Sequence, residues 1–372
     1  LSSSSAASDV YKRQVLVGAD GALYVSDWYD SRVGGHSDQD ESCSGTIYRI
    51  APKGFKSIRL KADATSTSGL IQLLSSPAVN VRYMGFVGLK QKVAEALPAV
   101  QQLMKNSNPF VAARAIWLLP YLGKQGLASC EALLNSPNEM LRLTAYRAIR
   151  RAGIDILPYA KRLCNDTSAA VRRDVALSLR GKSFDQSKDL LITLAKQVDP
   201  ADKNAVEAIG LAAENIENEV WLALKEAMVK GDVSSWSPLF AKLTWRLWPS
   251  AAVADLGQRA NNQALSREEQ LFALESLTFI DSMSAVDRVF LLALENPTIK
   301  TQVEDWLRMR GTGSWAKFGI SDRLKSTGVY DPDAIVINEI KIPEKPAAAS
   351  FTEAQVAALQ GDVAKGKVTA TR

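Results

Sequence analysis

Histidine is almost missing from this sequence. A single one, His36, stands in 372 residues, which excludes any site with two or more histidine ligands inside the chain. Cysteine is nearly as scarce. Cys43, Cys130 and Cys164 share no C-x-x-C spacing, so neither a disulfide framework nor a thiolate zinc site is expected. No apolar run reaches the roughly 18 residues that a membrane-crossing helix needs, so no transmembrane segment is expected. The first residues lack the basic start and apolar core of a signal peptide. Aromatics make up only 7% while alanine and leucine are abundant, a balance that favours helix over sheet. Neither sign of charge is in large excess, with 45 basic residues against 40 acidic. The two signs are interspersed, so no nucleic-acid footprint is expected.

The residues that are present fall into segments of different period. Residues 1–14, LSSSSAASDVYKRQ, are serine-rich and run without pattern into Val15. Residues 9–14 resemble a translated transposon end of the kind used in sequencing libraries, so 1–14 reads as a non-native or disordered leader; a flexible natural linker is the alternative. Over residues 15–52 the apolar period is two. Residues 15–17, 22–27 and 46–50 read as short strands, with a tight turn at Asp20-Gly21 and a polar loop over 28–45. Three short strands amount to about one propeller blade. One blade cannot bury both of its faces, so a larger propeller is expected upstream, and 15–52 is expected to be less stable than the helical residues C-terminal to it. A polar connector completes the segment to residue 68.

From Gly69 the period becomes helical and a repeat emerges. Val81-Arg82, Ala113-Arg114, Leu141-Arg142 and Val171-Arg172 each follow a turn bearing proline or aspartate and precede an apolar helix. This is the signature of a HEAT-type helical-repeat solenoid, on the short side for that class. Pro77, Pro109 and Pro137 stop one helix and open the next. Leu141, Ala145, Ala148 and Ile149 fall on one helical face. The arginines are expected to bond turn carbonyls or an acidic neighbour. After Asp199-Pro200 the repeats become irregular, though helices continue to about residue 294. Trp221, Trp236, Trp245 and Trp248 are expected as core packing between them. Residues 295–341 read as a helical extension with a glycine-rich turn at 311–313 and an edge strand over 333–341. Residues 342–350, IPEKPAAAS, are a Pro/Ala linker. A helix over 351–359 is capped by Thr352 or Ser350. The fold class is therefore mainly α, a HEAT-like solenoid preceded by a partial β-propeller blade.

Two stretches carry a family resemblance. The first is Leu23-Tyr24-Val25, Asp27-Trp28-Tyr29-Asp30, Gly34-Gly35-His36, Gly45 and Ile47-Tyr48-Arg49. It resembles the last blade of the propeller in PVC-type membrane-bound dehydrogenase and haem-binding proteins, itself similar to the soluble quinoprotein glucose and sorbosone dehydrogenases. The second is Gly361-Asp362-Val363-Ala364-Lys365-Gly366-Lys367. It resembles the helix that leads into a c-type cytochrome domain, where C-x-x-C-H comes next and attaches haem; residues 351–372 would be the start of that domain. No C-x-x-C-H is present here, and most of the propeller is absent.

The resemblance implies a connecting scaffold in a multi-domain electron-transfer dehydrogenase. The propeller would oxidise a sugar or alcohol and pass electrons to a c-type haem, with the parent periplasmic or membrane-associated. Haem c, with a quinone cofactor or calcium as further candidates, belongs to that parent; the chain itself is expected to hold no cofactor and to be inactive. Its partners would be the propeller and cytochrome domains of the same polypeptide. Asp27, Asp30 and His36 form the candidate catalytic cluster, since propeller loops carry bases and metal-binding carboxylates at the channel mouth. The alternative is a blade-closing turn in which Asp27 bonds backbone amides. Asp38, Asp40 and Glu41 could take calcium but lack a fixed-spacing motif. Cys130 and Cys164 read as buried small hydrophobes. The competing function is a protein-binding HEAT scaffold with no redox role, its partner on the solenoid surface.

Overall fold

The computed structural model describes residues 13–27, 46–56 and 61–330, together with 352, 354, 355, 358 and 362. The chain divides into two compact units, 1–321 and 322–372.

The first unit opens with three strands, β1 (Arg13–Val17), β2 (Leu23–Asp27) and β3 (Thr46–Ile50), in the order β1-β2-β3 and antiparallel throughout. Strand β1 starts two residues before the expected end of the leader, because Arg13 pairs with Asp27 and Gln14 with Ser26. The β1–β2 turn closes through Gly21, whose φ of 85° suits only glycine without strain. Register places Val15, Val17, Leu23, Val25, Tyr48 and Ile50 on one face. That face is open: Val15 is 65% exposed and Ile50 53%.

Helices come next, in two layers. The first layer holds α2 (Val79–Lys92), α4 (Pro109–Leu118), α6 (Glu139–Arg151), α8 (Ala169–Ser178), α10 (Lys203–Ala212), α12 (Pro238–Leu247), α14 (Arg267–Thr278) and α16 (Lys300–Gly311). From α4 to α16, each packs on the next of its own layer. The second layer holds α1 (Thr67–Ser75), α3 (Leu97–Leu103), α5 (Gly123–Leu133), α7 (Leu157–Leu163), α9 (Phe184–Ala195), α11 (Glu217–Met228), α13 (Val253–Asn261) and α15 (Met283–Glu295). A final helix, α17 (Ile320–Thr327), crosses the boundary between the units.

Caps decide where many of the helices start. Asn108 and Asn138 accept from the N–H groups of Phe110 and Met140 at 3.0 and 2.9 Å, and Asp202 accepts from Asn204 and Ala205. Ser266 and Glu269 form a reciprocal capping box. Close packing starts at Gly85, where a Cβ would lie 2.4 Å from the Leu74 nitrogen; only glycine lets α2 sit on α1 at that separation.

The repeats become irregular after Asp199, as the sequence pattern suggested, while the two-layer alternation continues. First-layer helices begin at 79, 109, 139 and 169 and then at 203, 238, 267 and 300. A constant step of 30 residues gives way to unequal ones, but the packing scheme persists. The core supports this with buried polar ties as well as apolar contacts. Asn296 is fully buried and donates to the Ala260 carbonyl at 3.0 Å and to the Gln270 side chain at 3.2 Å. The Trp315 indole N–H donates to the Ile280 carbonyl at 3.2 Å.

The second unit begins within α17. Gly328 takes φ 67° and the Tyr330 N–H reaches back to the Leu324 carbonyl, a glycine-closed helix end. Further on, Thr352 and Gln355 cap each other, with Gln355 N–H on the Thr352 hydroxyl at 3.3 Å and Thr352 N–H on the Gln355 side chain at 2.9 Å. Thr352 is thus a cap, one of the two expected residues. The anticipated strand over 333–341 and the linker over 342–350 lie outside the described residues.

Candidate functional site

Of the three candidate catalytic residues, Asp27 closes β2 opposite Thr46 and Arg13. Asp30 and His36 lie outside the described residues, as do Asp38, Asp40, Glu41 and Cys43.

Among the described side chains of the sheet, Asp20 is an organised carboxylate. It accepts from Arg49 Nε and Nη2 at 2.9 and 2.8 Å, from the Tyr24 hydroxyl at 3.2 Å and from the Ala22 N–H at 3.1 Å. The Arg49 guanidinium is the main reason its carboxyl sits below the ordinary aspartate value. The pair ties the β1–β2 turn to β3. Its signal in the sequence was the Asp-Gly turn, which gave the turn but not the cross-strand partner.

In the helical stack the start-of-helix arginines bond turn carbonyls, as expected. Arg82 donates to Pro77 O at 3.0 Å, Arg142 to Ser136 O at 2.8 Å and Arg172 to Asp166 O at 2.6 Å. Arg114 sits two residues further into its helix and reaches back to Leu74 O and Ser76 O at 3.0 and 2.9 Å. Arg142 also grips Asp166 through two 2.7 Å bonds, a bidentate pair between successive repeats. Further along, Asp174 pairs with Arg147 and Arg150, Asp202 with Arg173, Glu214 with Arg180 and Glu207 with Arg246.

The N-terminal end of the stack lacks such acidic partners. Residues 64–130 hold six basic side chains and one acidic, Glu95. Charge is therefore not interspersed here, contrary to the reading of the whole sequence. A cavity of about 290 Å³ opens among α2, α4 and α6, lined by Tyr83, Phe86, Trp117, Arg82, Arg114 and Arg151 along with Leu74 and Val79. Burial, and then the adjacent charge of Arg82, push the Arg114 guanidinium below its ordinary value.

The four tryptophans do not form a single core cluster. Trp221 and Trp236 are buried with Phe240 in edge-on and tilted contacts of 4.7 to 6.4 Å. Trp245 instead meets Phe272 and Phe279, Trp248 stacks on Phe279, and Phe279 in turn meets Trp306 on α16; Trp248 is 44% exposed. Cys130 and Cys164 are buried as expected; burial pushes the Cys130 thiol up to about 12, which leaves it without thiolate character at neutral pH.

Among the described residues no group of three His, Cys, Asp or Glu could hold a metal. No described helix is long and apolar enough to cross a membrane. Cys130 and Cys164 are enclosed in the helical stack, and the sequence contains no C-x-x-C-H. Compared with protein-family models and with curated proteins, the chain matches none.

Proposed function

We propose that this chain is the connecting scaffold of a larger electron-transfer dehydrogenase. In that protein a propeller oxidises a sugar or alcohol, a c-type haem domain accepts the electrons, and the helical stack fixes the geometry between them. Stacked helical repeats are suited to this because each braces its neighbours. The observation that carries the reading is the open face of the sheet. Six apolar side chains share it, and a propeller blade covers such a face with the adjoining blade. Asp27, Asp30 and His36 would then belong to the substrate side of the propeller. The parent would be periplasmic or membrane-associated, since haem of the c type is attached outside the cytoplasm.

The reading frame of the gene tests this. It is expected to encode further period-two strands before Val15 and C-x-x-C-H within about ten residues after Arg372. A frame without C-x-x-C-H in that stretch contradicts the redox role and leaves a helical-repeat protein without it.

A further inference from the structure

We propose that the groove formed by α2, α4 and α6 binds an acidic peptide segment of a partner protein, one large apolar side chain entering the cavity while flanking carboxylates meet Arg82, Arg114 and Arg151. This goes beyond the scaffold reading, which needs no ligand on the stack.

Pockets that enclose a drug-sized ligand run from about 300 to 1,000 Å³; this one, at about 290 Å³, lies at the small end of that range and has room for one large side chain of a longer ligand. The surround is suited to that. Tyr83 is 65% exposed and Val79 56%, and Phe110, one turn before Arg114 on α4, is 75% exposed. Aromatic side chains and arginine are the residue types that dominate peptide and protein binding energy.

Charge then selects the ligand. Among the described residues no acidic side chain pairs with Arg82, Arg114 or Arg151. A guanidinium has five N–H donors. Arg82 and Arg114 commit only Nη1, to carbonyls, which leaves the rest for a carboxylate. Of the neighbouring lysines, Lys92 pairs with Glu95 and Lys90 lies 4.2 Å over the Tyr121 ring, while a continuous stripe of free cations marks a different ligand. A nucleic-acid backbone needs such a stripe. Three localised charges around an apolar hole match a short acidic peptide with an apolar centre.

The test is fluorescence anisotropy on the full chain, with a labelled acidic peptide carrying one central phenylalanine. Its phenylalanine-to-serine control and a short oligothymidylate are run alongside. Saturable binding of the phenylalanine peptide is expected, with the serine control about tenfold weaker. Arg151→Glu and Tyr83→Ala are each expected to weaken binding about tenfold. Both side chains are exposed and outside the core, so unchanged circular-dichroism melting shows that the fold survives. No saturation by about 1 mM peptide overturns the proposal. So does equal binding of the serine control, or affinity indifferent to both variants. Oligothymidylate binding that exceeds the peptide's and is lost in Arg151→Glu assigns the groove to nucleic acid instead.

Discussion

Replacing Trp221 by alanine is expected to destabilise the helical stack by about 3–5 kcal/mol. The indole is 1% exposed, lies in contact with Trp236 and Phe240, and donates its N–H to the Thr244 hydroxyl at 3.0 Å. Alanine removes the whole ring from a packed interior that only partly collapses, and dispersion contacts are lost on every side. The hydroxyl is not orphaned, because Thr244 still donates to the Phe240 carbonyl at 2.9 Å. The cost is therefore mostly cavity and not unsatisfied polarity. Trp221→Phe should cost markedly less, since phenylalanine refills most of the volume. Equilibrium denaturation of the two variants checks this, and a loss below about 1 kcal/mol for alanine would show that the site is loosely packed.

Asp166→Ala is expected to cost about 3–5 kcal/mol by a different route. The Asp166 and Arg142 side chains are 5% and 11% exposed, and the carboxylate also accepts from the Ser168 N–H at 2.8 Å. Removing it leaves the guanidinium against Ser136 O without its hydrogen-bonded counter-charge, with only the weaker field of Glu139 remaining. The pH dependence carries a sign. Burial alone would raise the Asp166 carboxyl, but the Arg142 bonds, the Ser168 N–H and the Arg172 charge outweigh it and hold the carboxyl below its ordinary value. A depressed carboxyl stabilises fully above its unfolded value of about 3.9 and loses that contribution as pH falls through the folded value. The stability gap between wild type and Asp166→Asn should therefore be constant near neutrality and shrink in acid. A gap that widens in acid would mean that Asp166 is not held ionised by Arg142.

The parts of the fold visible in the sequence were those set by a short period. Strands β1 to β3 were legible from alternation, and the first four first-layer helices from the turn–arginine–helix pattern. The role of the arginines was also legible, because a guanidinium at the start of a helix has turn carbonyls within reach. Past Asp199 the pattern failed for a physical reason. The stack tolerates steps of unequal length as long as each apolar face finds its neighbour, and buried ties such as Asn296 replace a fixed motif. The tryptophans misled in a similar way. Trp245 and Trp248 stand near Trp221 and Trp236 in sequence, but Trp248 ends its helix in a left-handed conformation at φ 49° and stacks on Phe279 at the end of α14 instead.

The arginine groove was not legible because three separate repeats build it. Its one trace is the near-absence of acid between Asp63 and Glu131, which whole-chain charge counts average away. The candidate residues Asp27, Asp30 and His36 rest on family resemblance, and the geometry of the described sheet adds Asp20 and Arg49 as its organised charges without extending that cluster.

A spacer between two functional ends has to be continuous, so the claim on which the scaffold reading depends is that α2 to α16 form one uninterrupted stack. Native-state hydrogen exchange measures this residue by residue. Core amides beyond Asp199, at Leu243, Leu274 and Val289, are expected to exchange as slowly as those at Val171 and Val175, and far more slowly than Val25 and Tyr48 in the open sheet. Protection that falls away after Asp199 to the level of the sheet would contradict it.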